Sequence, residues 1–223
     1  MPVEPIPGLD DLAGGTRLAM FPLGSVLLPG MALPLRVFEA RYRQMMSELV
    51  HSDAAEFGSV LIERGSEVGG GETRTDVGCR AVVARASEHP DGTWSVLAVG
   101  TARIRVCSWL PDDPYPVAAV EDWDDEDHLD GERDEALVAD LEARARRVAA
   151  LAVELGARGQ LPDVELAEDL GLRVHQLATL SPLGALDRRR LLECPGQHAR
   201  AGLLAEMLAE QELLLGARLS FDD

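Results

Sequence analysis

The chain has 223 residues, 46% of them hydrophobic, and a formal net charge of −18 at pH 7; that is enough material for one large or two modest cores, and the wrong sign of charge for a nucleic-acid backbone. All 21 basic residues are arginine, which excludes a Ser-Lys dyad, a Schiff-base lysine and a phosphate-loop lysine. Cys79, Cys107 and Cys194 form no CxxC pair, so neither a zinc nor a dithiol motif is present, and a reducing, cytoplasmic compartment is expected.

Residues 1–16, acidic and rich in Pro and Gly, read as a flexible leader and not as a signal or transit peptide. No apolar run reaches the ~20 residues of a membrane span, so no membrane partner is expected. The block from Met20 to Tyr42 is the densest run of apolar residues broken by turn formers. Pro22, Gly24, Pro29, Gly30 and Pro34 cut it into pieces too short for helix, which predicts three short strands separated by turns. Phe38, Tyr42, Met45, Met46 and Leu49 then recur at helical spacing and predict an amphipathic helix over Val37–Val50. Phe38 and Tyr42, one turn apart, are expected to dock that helix on the strands. Glu39 and Arg41 cannot face each other at a spacing of two on a helix, so each is expected to pair elsewhere, Glu39 with Arg36 or an arginine near Arg103.

Beyond the helix the period changes. Phe57–Ile62 and Val77–Ala86 predict strands on either side of the Gly-rich segment 65–76, which reads as a flexible loop because no lysine or helix cap accompanies its GGG. Asp91-Gly92 favours a tight turn ahead of a strand Trp94–Val99. Gly100 separates that strand from Ala102–Leu110, where Ile104 and Val106 alternate with Arg103 and Arg105 as on a half-solvated face. A last strand, Val117–Val120, follows the turn PDDPYP. Short strands with one inserted helix predict a β-rich barrel over residues 17–124.

Residues 121–135 hold ten acids and one arginine, and 125–133 read as a solvated acidic linker. From Asp134 onward the period is helical. Leu141, Val148 and Ala152 mark the apolar face of a first helix, a second pattern spans Leu166–Leu180, Ser181-Pro182 reads as the N-cap and first turn of a third, and the fourth runs over His198–Leu215. Together they predict a C-terminal four-helix bundle over 134–223 and an α+β fold.

The five histidines form no HExxH or i,i+4 pair, and no carboxylate stands out as a general acid, so no catalytic residue, metal site or cofactor is expected. Leu28, Pro29, Met31 and Leu33 flank a Pro-Gly turn where apolar side chains can stand exposed on a loop, which makes them the candidate polypeptide contacts.

Four pieces in order, FPLGSVLLPGMALPLRVFEARYRQMM, HPDGTWSVLAVGTARIRV, DPYPVAAVEDW and LSPLGALDRRRLLECPGQHAR, resemble the Lon substrate-binding domain, the N-terminal domain of ATP-dependent Lon proteases. FPL, LPG and FEARY are its most specific elements, and the last contains Phe38, Glu39, Arg41 and Tyr42. The resemblance implies a PUA-like pseudo-barrel followed by helices, and binding of unfolded or degradation-marked polypeptides, with a separate protease as a further partner. Lon proteases continue into ATPase and Ser-Lys protease modules, and neither is found in this sequence, so a non-catalytic role is implied. Two readings of other classes stand beside it. An RNA-binding PUA-like surface is opposed by the charge of −18, and a small-molecule-binding barrel requires a deep pocket.

Overall fold

A computed structural model describes residues 15–52, 54–67, 71–156 and 165–222. The expected leader, up to residue 14, and positions 68–70 of the Gly-rich loop lie outside the described residues. Among those described, the order is β1 Thr16–Leu23, β2 Ala32–Val37, α1 Ala40–Leu49, β3 Glu56–Arg64, β4 Thr73–Glu88, β5 Trp94–Trp109, β6 Val117–Asp122, α2 Gly131–Glu154, α3 Leu170–Leu180, α4 Ala185–Leu192 and α5 Gln197–Asp222. This is the expected α+β arrangement of strands with one inserted helix, followed by four helices.

The strands form one mixed sheet in the order β2-β5-β4-β3-β1-β6. β6 also pairs with Ile104–Trp109 of β5, closing that end into a ring, while β2 pairs only with Trp94–Val99 at the other end. The two strands expected around Gly100 are one 16-residue strand. Gly100 serves a close approach in place of a turn, since a Cβ there would lie 2.4 Å from Leu28 O. The block Met20–Tyr42 yields two strands and not three, because Gly24–Met31 is a connector with Gly30 at φ +76°.

Three cores follow from these pairings. Met20, Val60, Ile104, Ala118 and Val120 fill the closed end of the barrel. At the open end α1 lays Tyr42, Met45 and Met46 against Phe21, Phe57, Trp94 and Val96. The third core lies among the helices, around Leu141, Val148, Leu177, Leu191, Leu204 and Leu208, and takes in Val26, Leu28 and Leu61 from the barrel side. The Asp134–His198 hydrogen bond at 3.2 Å and the Arg147–Glu212 ion pair at 3.1 Å show that α2 and α5 run side by side in the same direction. Ser181 ends α3 instead of starting α4: its N–H and its hydroxyl both donate to Leu177 O, at 3.1 and 2.7 Å, and Gly184 is the N-cap of α4.

Candidate functional site

Two regions claim attention: the middle of the stretch Met20–Tyr42 belongs to one, and its two ends line the other. The first is the joint between barrel and helices. Leu28, Pro29, Met31 and Leu33, expected as exposed contacts, are not on a free loop. Leu28 is 0% exposed within the helical core, Leu33 is 7% exposed within the core under α1, Pro29 is buried and Met31 is half-buried between the two. The turn is fixed from both sides: Gly30 N donates to Gly100 O at 2.8 Å and Gly100 N donates to Met31 O at 3.0 Å. Its outer surface meets α3, where a Cβ on Gly30 would come within 2.9 Å of Leu172 Cδ1. The apolar loop therefore packs between barrel and helices, with Gly30 and Met31 half-buried and Pro29 at the border of the cleft beside the joint.

Charge completes the joint. Arg103, expected on a solvated face, is 4% exposed. Its guanidinium donates to Leu192 O at 2.9 Å, to Cys194 O, to Asp124 O at 3.3 Å and to Asp125 Oδ1 at 2.7 Å. Arg200, 1% exposed, donates to the same carboxylate. Burial lowers the Arg103 pKa, and the neighbouring Arg200 charge adds to the effect. His175 of α3, 4% exposed, lies in the field of both arginines; burial first, then Arg200 and Arg103, hold its pKa well below the usual histidine value and keep the ring neutral. The acidic segment is thus hydrogen-bonded to the helices although most of its residues remain exposed. Asp125 bridges the two arginines and leaves one positive charge in excess, Asp127 accepts from His198 N at 3.1 Å, and Leu129 N donates to Gln197 Oε1 at 2.8 Å. A cleft of about 600 Å³ beside the joint is bordered mostly by polar groups, among them Trp123, Asp124, His128, Asp169, His175 and Gln197.

The second region is open. β2 has a strand partner on one side only, and the second half of β1, from Met20, pairs only with β3. Each therefore carries an edge that no other strand covers among the described residues. Both edges line a groove of about 200 Å³ with Phe21, Leu23, Leu35, Val37 and Tyr42 as its apolar surface and Phe38, Glu39 and Glu67 beside them.

Hydrogen bonds identify which backbone groups these edges present. Gly100 N bonds Met31 O, so Leu33, Leu35 and Val37 turn their backbone groups toward β5, while Ala32, Pro34 and Arg36 turn theirs outward. On β1, Met20 N donates to Pro116 O, on the side away from β3, and Pro22 and Gly24 share that side. Gly24 N is taken by Glu67 Oε1. Pro22 and Pro34 supply a carbonyl to the edges but no N–H.

Phe38 and Tyr42 do not act together as expected. Phe38 precedes the helix and stands 56% exposed. Tyr42 docks α1 without it, stacked on Phe21 with ring centroids 4.2 Å apart, and burial pushes its hydroxyl pKa up to about 12. Glu39 and Arg41 do pair, at 3.2 Å, because Glu39 lies at the N-cap with extended backbone (φ −67°, ψ 136°), where the helical spacing rule does not apply. Arg41 also covers the Tyr42 ring at 4.5 Å. Glu72, whose side chain is 1% exposed, pairs with Arg74 at 2.7 Å, and Arg74 in turn meets Asp112 at 2.6 Å.

Among the described residues no group of three or more His, Cys, Asp or Glu side chains is placed to hold a metal ion, and no helix is long and apolar enough to cross a membrane.

Residues 17–210 match the family described as the ATP-dependent protease La (LON) substrate-binding domain. Lon protease 2 of Herpetosiphon aurantiacus is 28% identical over 208 residues, which are 91% of this chain and 25% of that protein. Lon protease of Anaeromyxobacter dehalogenans is 28% identical over 203 residues, 89% of this chain and 24% of that protein. The chain thus spans about a quarter of the length of these curated relatives. Among solved structures, the Lon N-terminal domain protein from Xanthomonas campestris aligns with a TM-score of 0.61 at 27% identity, covering 87% of this chain and 98% of that one. The N-terminal domain of Mycobacterium avium complex Lon protease aligns at 0.57 and 16% identity with the same coverage, a likeness of fold.

Proposed function

The chain belongs to the ATP-dependent protease La (LON) substrate-binding domain family, and from that premise we propose that it binds extended polypeptide segments in the groove between β1 and β2, without catalysis of its own. The observation that carries the reading is Phe38, an aromatic ring 56% exposed beside an apolar groove bounded by two strand edges. Strand edges offer main-chain hydrogen bonds whatever the partner's sequence, and an apolar surface beneath them receives alternate side chains. Unfolded segments expose both kinds of group together. The relatives are named Lon proteases, so the segments meant are those of proteins marked for degradation, and a separate protease is the partner that would receive them.

The small-molecule barrel has little support, because the barrel's closed end is filled by Met20 and Ile104, both 0% exposed. The groove, about 200 Å³, is below the roughly 300 Å³ at which small-molecule pockets begin, and the one cavity described above that exceeds it, about 600 Å³, lies at the joint and not inside the barrel.

The test is fluorescence anisotropy of labelled unfolded model chains with wild type and Phe38→Ser. Wild type is expected to bind and the variant to bind at least about fivefold more weakly, the loss of one apolar anchor. Equal binding by the variant removes the groove from the account. No binding by wild type to any unfolded chain removes the function.

A further inference from the structure

We propose that the cleft at the joint is a second binding site, for a small zwitterion of amino-acid type, with the carboxylate at His175, beside Arg103, and the ammonium at Asp124 and Asp169. The site stands apart from the groove and does not depend on the reading above. A cavity of about 600 Å³ is of the size of small-ligand sites, and its lining changes sign with depth. The buried layer is positive: Arg103 and Arg200, 4% and 1% exposed, share the single carboxylate of Asp125, so one charge is left over. His175, 4% exposed, lines the cleft in the field of both arginines, and its Nδ1 is buried without a hydrogen-bond partner among the described residues. An unpaired buried polar atom costs free energy that a ligand atom can restore. A neutral imidazole can carry its proton on Nδ1 and donate it. With positive charge in excess beside it, the acceptor that fits is an anionic oxygen.

The mouth has the opposite sign. Asp124 and Asp169 both border the cleft and both are exposed. Asp169 spends Oδ1 on Leu172 N at the N-cap of α3, which leaves Oδ2, and the Asp124 carboxylate has no ion pair among the described residues. Arg105, the further cation nearby, lies over the Trp123 ring, 3.6 Å from its centroid. A simple anion would meet two carboxylates at the mouth, and a simple cation would meet the excess positive charge beneath them. A molecule that carries both charges satisfies each layer. The layers are close together: Arg103 donates to Asp124 O at 3.3 Å, and His175 is one helical turn from Gly171, which borders the same cleft. That closeness suits charges one carbon apart, with Pro29, Ala102 and Leu172 as the apolar part of the lining.

The experiment is isothermal titration calorimetry of the full chain with leucine, N-acetylleucine and leucinamide at about pH 7, where α-amino groups are mostly protonated. The second ligand lacks the ammonium and the third lacks the carboxylate. Leucine is expected to bind at least about tenfold more tightly than either derivative. Asp124→Asn should weaken leucine about fivefold without weakening N-acetylleucine, and His175→Leu should weaken both by a similar factor. Urea unfolding checks that each variant is folded; Asp124→Asn, at an exposed position, keeps the test decisive if His175→Leu is not. Leucine binding no tighter than N-acetylleucine or leucinamide overturns the proposal, as does an absence of leucine binding at about 10 mM. Leucine affinity unchanged in either folded variant overturns it too, because the ligand then sits elsewhere.

Discussion

The joint and the groove put different segments of one twenty-odd-residue stretch to opposite uses. At the joint, a loop rich in apolar residues packs against α3, and beside it Arg103 and Arg200 are buried on a half-buried Asp125. At the groove, Phe38 stands exposed beside strand segments that have no further strand to pair with, above Phe21, Leu23, Val37 and Tyr42, which are themselves buried. A partner at the joint would meet the cleft beside it, and one at the groove would meet Phe38. What decides the matter is what covers each segment, more than how apolar the segment is.

Substitutions at the joint should damage stability first. Arg103→Ala leaves Asp125 with a single guanidinium and strands the carbonyls of Leu192 and Cys194, and a cost of about 3–5 kcal/mol is expected in urea unfolding. A cost below about 1 kcal/mol would mean that the joint is not held by this network. Leu28→Ala comes next, since a side chain 0% exposed leaves a cavity in the helical core and should cost about 2–5 kcal/mol. Peptide affinity, measured where the variant remains folded, should not change; if it falls in step with stability, the two regions are not separate.

Stability should also depend on pH through His175. Its folded pKa is lowered by burial and by Arg200 and Arg103, so the unfolded chain takes up the proton first. The stabilisation is therefore complete above the unfolded value of about 6.5 and is lost as pH falls below it, by up to about 1.4 kcal/mol per pH unit until the folded ring titrates. Urea midpoints in wild type and His175→Gln, measured between about pH 7.5 and 5.5, should diverge in this window. Parallel curves would mean that the ring is not neutral in the joint. The smallest stability effect belongs to Phe38→Ser, within about 0.5 kcal/mol for an exposed side chain, although it should carry the largest loss of binding. A large stability loss there would place Phe38 in the core and close the comparison.

Sequence patterning showed the helices because their apolar stripes face a core: Leu141, Val148 and Leu204 recur at helical spacing and are all buried. It showed the strands as apolar runs but not their order, since nothing local indicates that β6 returns to pair with β5. Gly100 was misleading because a glycine admitting a backbone at close quarters has the same local signature as one at a turn. Alternation placed Arg103 on the face opposite Ile104, correctly, but the helices that cover that face come from residues 191–200, far along the chain. Phe38 was assigned to the helical stripe although the helix begins at Ala40. The groove was legible only as two prolines, Pro22 and Pro34, each inside an apolar run; both lie in edge-forming strand segments, where a missing N–H is tolerated. An arginine repeated in a strand of an otherwise acidic chain was the one available signal for the joint.

The most direct test is amide hydrogen exchange on the full chain with and without a saturating extended peptide that carries a central Phe-Leu pair. The account predicts added protection at the Arg36 amide and across Phe21–Gly24 and Pro34–Tyr42, the segments that line the groove, with residues around Gly30, Arg103 and Asp125 unchanged. Protection that falls instead on Thr101–Arg103 and Trp123–His128, beside the polar cleft at the joint, would contradict it.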